Sequence, residues 1–292
     1  MSSSPCVGGE IEPSKTQPAI DTGEGEVGSA AKTAEMTQKR ERFSEPDLDT
    51  VKRIKVADDA DHVDYDEFRN ALLLGEADFT FTRAFATMFD RPITASEYGS
   101  AADLCSRYHE DDEVKFTSSM ASLAAIPNVS NVLASLNCRI LGQDVVPCQR
   151  FNSVSSKFQD CSFWPDVSDK FSLIIFNFPH TDQNGKASRL VRALFKQLRI
   201  CVDDGRLPSD FTLEMRLREF NEREGGWTKH RAAYCHEEAA AESSFTPVGK
   251  YPDDLRRWQE LGYEHTMTKR DAKIRGLTGS VWRWRPSNNK EG

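Results

Sequence analysis

From Tyr65 onward, short apolar runs alternate with amphipathic stretches, and this alternation constrains the fold more than any other feature of the chain. Ala71–Leu74 is entirely apolar and is followed by Gly75, a pattern typical of a buried parallel strand. Asp78 can cap a helix that runs from about Phe79 to Phe89. Strands that alternate with helices in this way predict an α/β fold, with a Rossmann-like, doubly wound and mostly parallel sheet.

The same alternation predicts the remaining elements. The predicted strands cover residues 93–97, 139–141, 171–176 and 211–217, and a late hairpin joins 264–268 to 281–284. The predicted helices cover residues 101–108, 118–126, 129–136 and 187–200. Because proline cannot continue a central strand, Pro179 turns the chain out of the sheet just after Asn177.

Residues 1–64 differ in composition from the rest and are expected to form a disordered acidic tail. They contain 8 Lys or Arg and 14 Asp or Glu, and Phe43 is their only aromatic residue, so they cannot offset the entropy of folding. The clusters Lys39-Arg40 and Lys52-Arg53-Ile54-Lys55 fit either a two-part nuclear localisation signal or a solvated charge run. Residues 65–286 are predicted to form the Rossmann-like domain, and residues 287–292 a flexible C-terminus.

Hydropathy and cysteine usage exclude several classes of protein. No apolar run is longer than four residues, whereas a membrane helix needs roughly 18 and a signal-peptide core roughly 7 to 15. The seven cysteines form no Cys-x-x-Cys pair, which favours reduced thiols in the cytosol or nucleus. His230, Cys235 and His236 lack the paired spacing of structural zinc sites, so no metal site is predicted.

The loop after the first strand is a candidate donor pocket. In an open α/β sheet, ligands bind at the carboxyl ends of the strands, where a glycine allows close approach and a helix N-terminus offers free N–H groups. An acidic residue at the end of the second strand can hold ribose hydroxyls. The expected pocket consists of Gly75, Glu76, Ala77, Asp78 and Phe79, with Glu97 after the second strand and Asp144 after the third. A plain helix cap at Asp78 and a surface role for Glu97 are the alternatives.

The segment Asn177-Phe178-Pro179-His180 follows the clearest predicted strand and is a candidate catalytic turn. An Asn and a Pro at the mouth of a strand resemble the Asn/Asp-Pro-Pro-aromatic turn of methyltransferases that act on ring or exocyclic nitrogens. In that turn, an amide oxygen and a backbone carbonyl hold the target nitrogen in line with the methyl donor. The alternative is a simple turn that ends the strand.

Five segments together resemble one protein family. They are Leu-Leu-Gly-Glu-x-Asp-Phe-Thr-Phe at 73–81, Ile-Thr-Ala-Ser at 93–96, Gly-x-Asp at 142–144, Ile-Ile-Phe-Asn-Phe-Pro-His at 174–180 and Gly-Tyr-Glu-His-Thr at 262–266. Their order is similar to that of the 25S-rRNA (uracil-N3)-methyltransferase-like family of nucleolar Rossmann-like methyltransferases. The founding activity of that family is methylation of a uracil N3 in large-subunit ribosomal RNA. The resemblance covers about residues 65–285.

The chain departs from the family pattern at three places. The family usually has a second glycine where this chain has Ala77, and Asp-Ser where it has Gly99-Ser100. The glycine that follows the histidine is replaced by Thr181. Alanine at 77 is tolerable at negative φ but costly at positive φ.

The resemblance implies an enzyme that uses S-adenosyl-L-methionine to methylate ribosomal RNA, free or in a pre-ribosomal particle. It implies that Asn177 and the carbonyl of Pro179 orient the base edge, with His180 as a proton acceptor or base contact. Because the target base must leave any stack, Phe178 is a candidate stacking surface. The expected location is the nucleus and its nucleolus, with the cytoplasm as the alternative, and the expected state is a monomer without membrane contact.

Two basic stretches are candidates for contacts with RNA phosphates. One is a face of the helix predicted at 187–200, and the other lies within residues 265–285, which carry a net charge of +5. The residues concerned are Arg189, Arg192, Lys196, Lys269, Arg270, Lys273 and Arg275. Solvated surface charge is the alternative for both stretches.

Two other functions remain open from the sequence. A catalytically inactive Rossmann-like RNA-binding or ribosome-assembly factor is favoured by Ala77 and Gly99. A methyltransferase that acts on a protein or a small molecule is favoured by the acidic net charge of −8. The role of residues 218–250, as a lid or as an ordered insert, is not fixed by their composition.

Overall fold

A mixed sheet of nine strands organises the part of the computed structural model that is described, which comprises residues 64–166, 170–177, 186–219, 234–253, 255–264 and 278–287. The strands are β1 (Ala71–Leu74), β2 (Ile93–Ser96), β3 (Val129–Ala134), β4 (Pro147–Asn152), β5 (Lys157–Ser162), β6 (Leu173–Asn177), β7 (Thr212–Glu219), β8 (Phe245–Asp253) and β9 (Thr278–Pro286). The helices are α1 (Thr80–Ala86), α2 (Ala101–His109), α3 (Glu113–Ala124), α4 (Phe163–Asp166), α5 (Lys186–Asp203), α6 (His236–Glu242) and α7 (Leu255–Glu260). Within the described residues, no helix is long and apolar enough to cross a membrane.

The strand order is β5-β4-β3-β2-β1-β6-β7-β9-β8, which is a Rossmann-like, doubly wound arrangement with antiparallel strands at both sides. The central strands β3, β2, β1, β6 and β7 are parallel to one another, whereas β4 pairs antiparallel with β3 and β9 with β7. The strands β2 to β5 lie on one side of β1, and the strands β6 to β9 lie on its other side. Ligands bind at such a reversal, outside the carboxyl ends of the strands. A ligand site is therefore expected at the carboxyl ends of β1 and β6.

The central strands are apolar because both faces of the sheet are covered. Leu72 and Leu74 of β1 belong to one hydrophobic cluster, together with Phe195 of α5. Leu73 belongs to a second cluster on the opposite face, together with Phe85 of α1. Successive side chains of a strand point to opposite faces, so β1 and β6 must be apolar at every position to serve both clusters.

The predicted α/β class and most of the predicted elements are confirmed. Predicted strands at 93–97, 171–176 and 211–217 correspond to β2, β6 and β7, and predicted helices at 79–89, 101–108, 118–126 and 187–200 correspond to α1, α2, α3 and α5. Residues 281–284 lie in β9, which pairs with β7 on one side and β8 on the other. Residues 265–268 of the predicted hairpin lie outside the described residues. The described part of the long segment 218–250 includes the end of β7, helix α6 and the beginning of β8.

The region between α3 and α4 was predicted wrongly. Residues 129–136 were predicted as a helix, but Val129–Ala134 is β3, which pairs in parallel with β2. Residues 139–141 were predicted as a strand, but Cys138–Ile140 forms a single 3-10 turn. The apolar residues of this short stretch fit a helical face as well as a buried strand, and pairing with β2 decides between the two. The hairpin of β4 and β5 was not predicted, because Lys157–Ser162 is a largely polar edge strand.

Candidate active site

The loop that joins β1 to α1 turns sharply at Gly75, and only glycine fits there. Gly75 has φ +72°, and a Cβ atom built on it would lie 3.1 Å from the Cε2 atom of the Phe176 ring on β6. The Glu76 N–H then donates to the Ser96 carbonyl at 3.1 Å, which ties the loop to the end of β2. Glycine at 75 therefore permits the positive φ of the turn and its close packing against the Phe176 ring at the sheet reversal.

Two further residues of this loop have positive φ although they carry side chains. Ala77 has φ +54° and Phe79 has φ +62°. The sequence departure at Ala77 thus falls at a position where glycine is the low-energy choice. Phe79 precedes α1 without capping it by a side chain, while Asp78 Oδ1 accepts from the Thr80 N–H at 3.1 Å and the Thr80 hydroxyl at 2.8 Å. Asp78 is therefore not the N-cap of α1, which is Phe79, and its carboxylate instead closes a local turn onto Thr80.

Glu97 follows β2 and holds the backbone of both neighbouring loops. Its Oε2 atom accepts from the Ala77 N–H at 2.9 Å, and its carboxylate also accepts from the amides of Tyr98 and Gly99. Burial raises the pKa of Glu97, and these amide hydrogen bonds oppose that increase. A carboxylate offers about four acceptor positions, so one remains for a hydroxyl group of a ligand.

Glu76 and Asn177 form the closest polar contact between the ends of β1 and β6. Glu76 is 4% exposed and Asn177 is 7% exposed. The Asn177 Nδ2 atom donates to Glu76 Oε1 at 2.7 Å, and the Thr82 hydroxyl of α1 donates to Glu76 Oε2 at 2.6 Å. Asn177 Oδ1 is buried and accepts no hydrogen bond from any residue that the structure describes.

The charge state of Glu76 follows from this enclosure. Burial raises its pKa from the ordinary value of 4.5 to about 8, although the hydrogen bonds from Thr82 and Asn177 lower it in part. The nearby carboxylates of Asp78 and Glu97 add to the increase. Titratable groups with strongly shifted pKa values at the end of a strand are typical of functional sites.

Direct contacts join most of the residues predicted for the donor pocket, and none of the contacts between described residues joins Asp144 to them. Gly75–Phe79 and Glu97 are linked by direct hydrogen bonds. Asp144 is exposed, and it follows a 3-10 turn rather than a strand, since β3 already ends at Ala134. Its segment is held instead by α5 and the residues after it, because Gln197 accepts from the Gly142 N–H and Arg206 donates to the Gly142 carbonyl. The reason for placing Asp144 in the pocket therefore does not hold.

Thr82 was missed by the sequence analysis. It is fully buried in α1, between the apolar residues Phe81 and Ala84, and its hydroxyl is used by Glu76. A threonine within the apolar face of a short helix is a weak indication of a buried acceptor, since a hydroxyl needs a partner when it is buried.

The other predicted site residues divide into two groups. Arg189, Arg192 and Lys196 are exposed on α5, as predicted, although Arg192 Nη1 also pairs with Glu242 of α6 at 2.8 Å. The remaining predicted residues lie outside the described residues: Phe178, Pro179, His180, Lys269, Arg270, Lys273 and Arg275. Among the residues that the structure does describe, no group of three or more His, Cys, Asp or Glu could hold a metal ion.

Comparison with known proteins identifies the family. Residues 72–266 match the family model described as rRNA (uridine-N3-)-methyltransferase BTM5-like, a match that includes the ends of β1, β2 and β6. The chain belongs to this BMT5-like family. Its members are S-adenosylmethionine-dependent methyltransferases. No curated protein matches the chain in sequence.

Solved methyltransferase structures resemble the chain only distantly. The 16S rRNA (adenine(1408)-N(1))-methyltransferase from Catenulisporales acidiphilia is 9% identical, with 75% of this chain and 88% of that chain covered and a TM-score of 0.43. A 30S ribosomal methyltransferase from an uncultured bacterium is 9% identical, with 75% and 87% covered and a TM-score of 0.39. A geranyl diphosphate methyltransferase is 10% identical, with 74% and 72% covered and a TM-score of 0.37. These likenesses are too distant to indicate a substrate.

Proposed function

We propose that this protein transfers a methyl group from S-adenosyl-L-methionine to N3 of a uridine in large-subunit ribosomal RNA. The family membership supports methyl transfer to ribosomal RNA. The single observation that carries the proposal further is Asn177, which ends β6 beside the donor loop with a buried amide oxygen that no described residue uses. Such an oxygen is suited to bind the imide edge of a base.

The residues present fit the donor. The turn at Gly75 places the loop at the carboxyl ends of β1 and β2, where a donor is expected, and the remaining acceptor capacity of Glu97 suits a ribose hydroxyl. When bound, S-adenosylmethionine supplies an electrophilic methyl group on a sulfonium. The contribution of the loop and Glu97 is then to hold the donor in one orientation, which matters because in-line displacement depends on alignment.

On the substrate side, the imide N3–H must lose its proton before or during attack on the methyl group. Asn177 Oδ1 can accept a hydrogen bond from the base edge and so fix its position relative to the donor. Pro179 and His180 are proposed to complete this turn, through a backbone carbonyl and a proton acceptor respectively. Phe178 is proposed to stack on the base once it leaves its neighbours.

RNA contact and location are also part of the proposal. The exposed cations Arg189, Arg192 and Lys196 on α5, together with the basic stretch 269–275, are proposed to contact phosphates. The basic clusters in residues 39–55 are proposed to direct the protein to the nucleus, where ribosome precursors are assembled.

A second candidate function is favoured by one observation. Ala77 has φ +54°, at a position where related sequences have glycine, and this strain falls in the loop that would hold the donor. A chain that no longer binds the donor would tolerate such a residue more easily than an active enzyme. The second candidate is therefore an inactive RNA-binding or assembly factor.

Two measurements separate these functions. Titration calorimetry of the purified protein with S-adenosylhomocysteine should give saturable binding, and absence of binding would favour the inactive factor. Mass spectrometry of ribosomal nucleosides from a strain without the gene should show loss of 3-methyluridine, and the wild-type gene should restore it. Binding of S-adenosylhomocysteine without any change in 3-methyluridine would point to another methyl acceptor.

A further inference from the structure

The amide of Asn177 has two chemically different ends, and the structure orients them. Nδ2 faces Glu76 Oε1 at 2.7 Å, and Oδ1 has no partner among the described residues. A carboxylate can only accept hydrogen bonds, so it selects the NH₂ end of the amide. A protonated carboxyl group can instead donate to Oδ1 and allow the reversed amide. The protonation state of Glu76 therefore influences whether the oxygen or the nitrogen of the Asn177 amide faces away from Glu76.

Glu76 itself is held in place on its other side. The Thr82 hydroxyl donates to Oε2 at 2.6 Å, and the side chain is 4% exposed, so the carboxyl group has little freedom to turn. Within the described residues, no Lys or Arg forms an ion pair with it. Its only direct connection to the substrate side of the site is through Asn177.

We propose that Glu76 is a positioning residue whose carboxylate, by accepting a hydrogen bond from Asn177 Nδ2, turns Asn177 Oδ1 toward the base edge. This inference rests on the proposed function, because the role of Asn177 toward the base is assigned there. Glu76 acts through Asn177 and does not contact the base or the donor methyl group.

The groups around Glu76 affect its ionisation, and the direction in which the orientation of the Asn177 amide changes with pH follows from that ionisation. Asp78 on the same loop and Glu97 at the end of β2 disfavour the ionised form of Glu76, while the Thr82 hydroxyl from α1 favours it. The Tyr263 phenol, after α7, also interacts with Glu76, and Arg216 of β7 is neutralised by its own carboxylate partners. With a pKa of about 8, Glu76 gains charge as the pH rises through that value. The active amide orientation is then favoured at higher pH.

The first test compares the wild type with Glu76→Met, which can neither carry a charge nor accept a hydrogen bond from Asn177 Nδ2, whereas the amide oxygen of Gln could still accept it. Single-turnover methylation of ribosomal RNA from a strain without the gene is measured from about pH 6 to pH 9.5. The ratio of the two rates is used, because ionisation of the uracil imide affects both proteins equally and cancels. We expect the ratio to be near unity at low pH and to rise to about 10²-fold at high pH, with the apparent pKa of Glu76 as its midpoint.

Two controls show that the effect is one of positioning. Affinity for S-adenosylhomocysteine and KM for RNA should change by no more than about threefold in Glu76→Met, so that the loss lies in kcat. Thr82→Val removes the other hydrogen bond to Glu76 but leaves the contact with Asn177. It should retain the maximal rate and shift the profile to higher pH, because one interaction that favours the ionised form is lost.

The second test does not depend on activity. The side-chain amide resonances of Asn177, identified by their loss in Asn177→Ala, should shift with pH in the wild type and not in Glu76→Gln. A wild-type protein that methylates no RNA would refute the proposed function, and the amide titration would still decide the role of Glu76. An active wild type with a rate ratio that is constant across pH, or amide resonances that do not titrate, would overturn the positioning role alone.

Discussion

Two buried polar clusters lie side by side on β6 and β7. In one, a buried cation has carboxylate partners, and in the other, a buried carboxyl group has neutral partners. Asn177 and Arg216 are register partners in the sheet. Around Arg216, the guanidinium donates to Glu214 Oε1 at 2.8 Å, to Asp253 Oδ1 at 2.7 Å and to the Tyr65 hydroxyl at 2.7 Å. Around Glu76, the side-chain partners among the described residues are the neutral groups of Asn177 and Thr82.

The difference shows which cluster serves the fold and which serves the site. The Arg216 guanidinium is also covered by two rings, with Phe81 at 4.8 Å and Trp258 at 4.6 Å from its carbon atom. Its carboxylate partners keep its pKa high in spite of burial. Glu76 has no cation beside it, and its pKa is raised. Buried atoms without a described partner occur in both clusters, Asn177 Oδ1 in one and Arg216 Nε with Asp253 Oδ2 in the other, so the clusters differ in charge compensation. Uncompensated burial costs stability, so it is expected where chemistry uses it.

The largest expected effect comes from breaking the compensated cluster. Arg216→Met leaves Asp253 buried without its cation, while Glu214 keeps Arg283 at 3.1 Å, and removal of one member of a buried ion pair costs about 3–5 kcal/mol. Urea denaturation followed by circular dichroism measures this loss. Arg192→Met is the matched control, because it breaks an exposed pair with Glu242 and should cost at most about 1 kcal/mol. Similar losses in both variants would contradict the assignment of the Arg216 cluster to fold stability.

The corresponding change in the other cluster should affect the reaction and not the fold. Asn177→Ala removes the amide proposed to hold the base, so single-turnover methylation should fall by about 10²-fold or more. The free energy of unfolding and the affinity for S-adenosylhomocysteine should change little. Asn131→Ala is the control, since Asn131 is also a partly buried amide of the sheet, where it donates to Thr94. If both variants lose turnover to the same extent, Asn177 has no special role.

The pH dependence of stability gives a smaller effect with a definite sign. The folded pKa of Glu76, about 8, lies above the ordinary 4.5, so folding favours the protonated form. The associated stability is complete below about pH 4.5 and is lost as the pH rises through about 8. Glu76→Gln has no charge to bury, so it should match the wild type at pH 5 and exceed it by about 1–3 kcal/mol at pH 9.

Urea denaturation at the two pH values tests this expectation. Asp112→Asn provides the opposite sign, because hydrogen bonds from the Lys115 amide lower the pKa of the Asp112 carboxyl, which caps α3. Its contribution is complete above about pH 3.8 and is lost only on further acidification, so Asp112→Asn should be less stable than the wild type by the same amount at pH 5 and at pH 9. A Glu76→Gln variant that is less stable than the wild type at pH 9 would show that the carboxylate is compensated after all.

The parts of the site that could be predicted from the sequence are those fixed by local rules. Gly75 after an apolar run and Glu97 after the next strand follow from the way parallel strands present their carboxyl ends. Asn177 follows from the proline two positions later, which ends the strand. Each of these residues is informative because its own neighbours in the sequence determine its place.

The parts that could not be predicted depend on contacts across the chain. Glu76 and Asn177 are separated by 101 positions, and nothing local indicates that one orients the other. Asp144 was misplaced because the apolar spacing of residues 129–136 fits a helix and a strand equally well. Arg216 lies in a correctly predicted strand, but its burial depends on Asp253 of β8, which joins the sheet only through β9.

The smallest predicted effect tests whether the loop Gly75–Phe79 binds the methyl donor. Ala77→Gly removes the strain of a side chain at φ +54° and should raise the free energy of unfolding by about 0.5–1 kcal/mol, after allowance for the greater freedom of glycine in the unfolded chain. Ser156→Gly is a matched control, because Ser156 also has φ +54° but lies in the exposed turn between β4 and β5. Both variants should gain similar stability by urea denaturation, since the strain relieved is the same.

Only Ala77→Gly should change the affinity for S-adenosylhomocysteine, because the Ala77 amide is the one bound by Glu97. A several-fold increase in that affinity would mean that Ala77 weakens a working donor site, whereas no binding in either variant would favour the inactive factor.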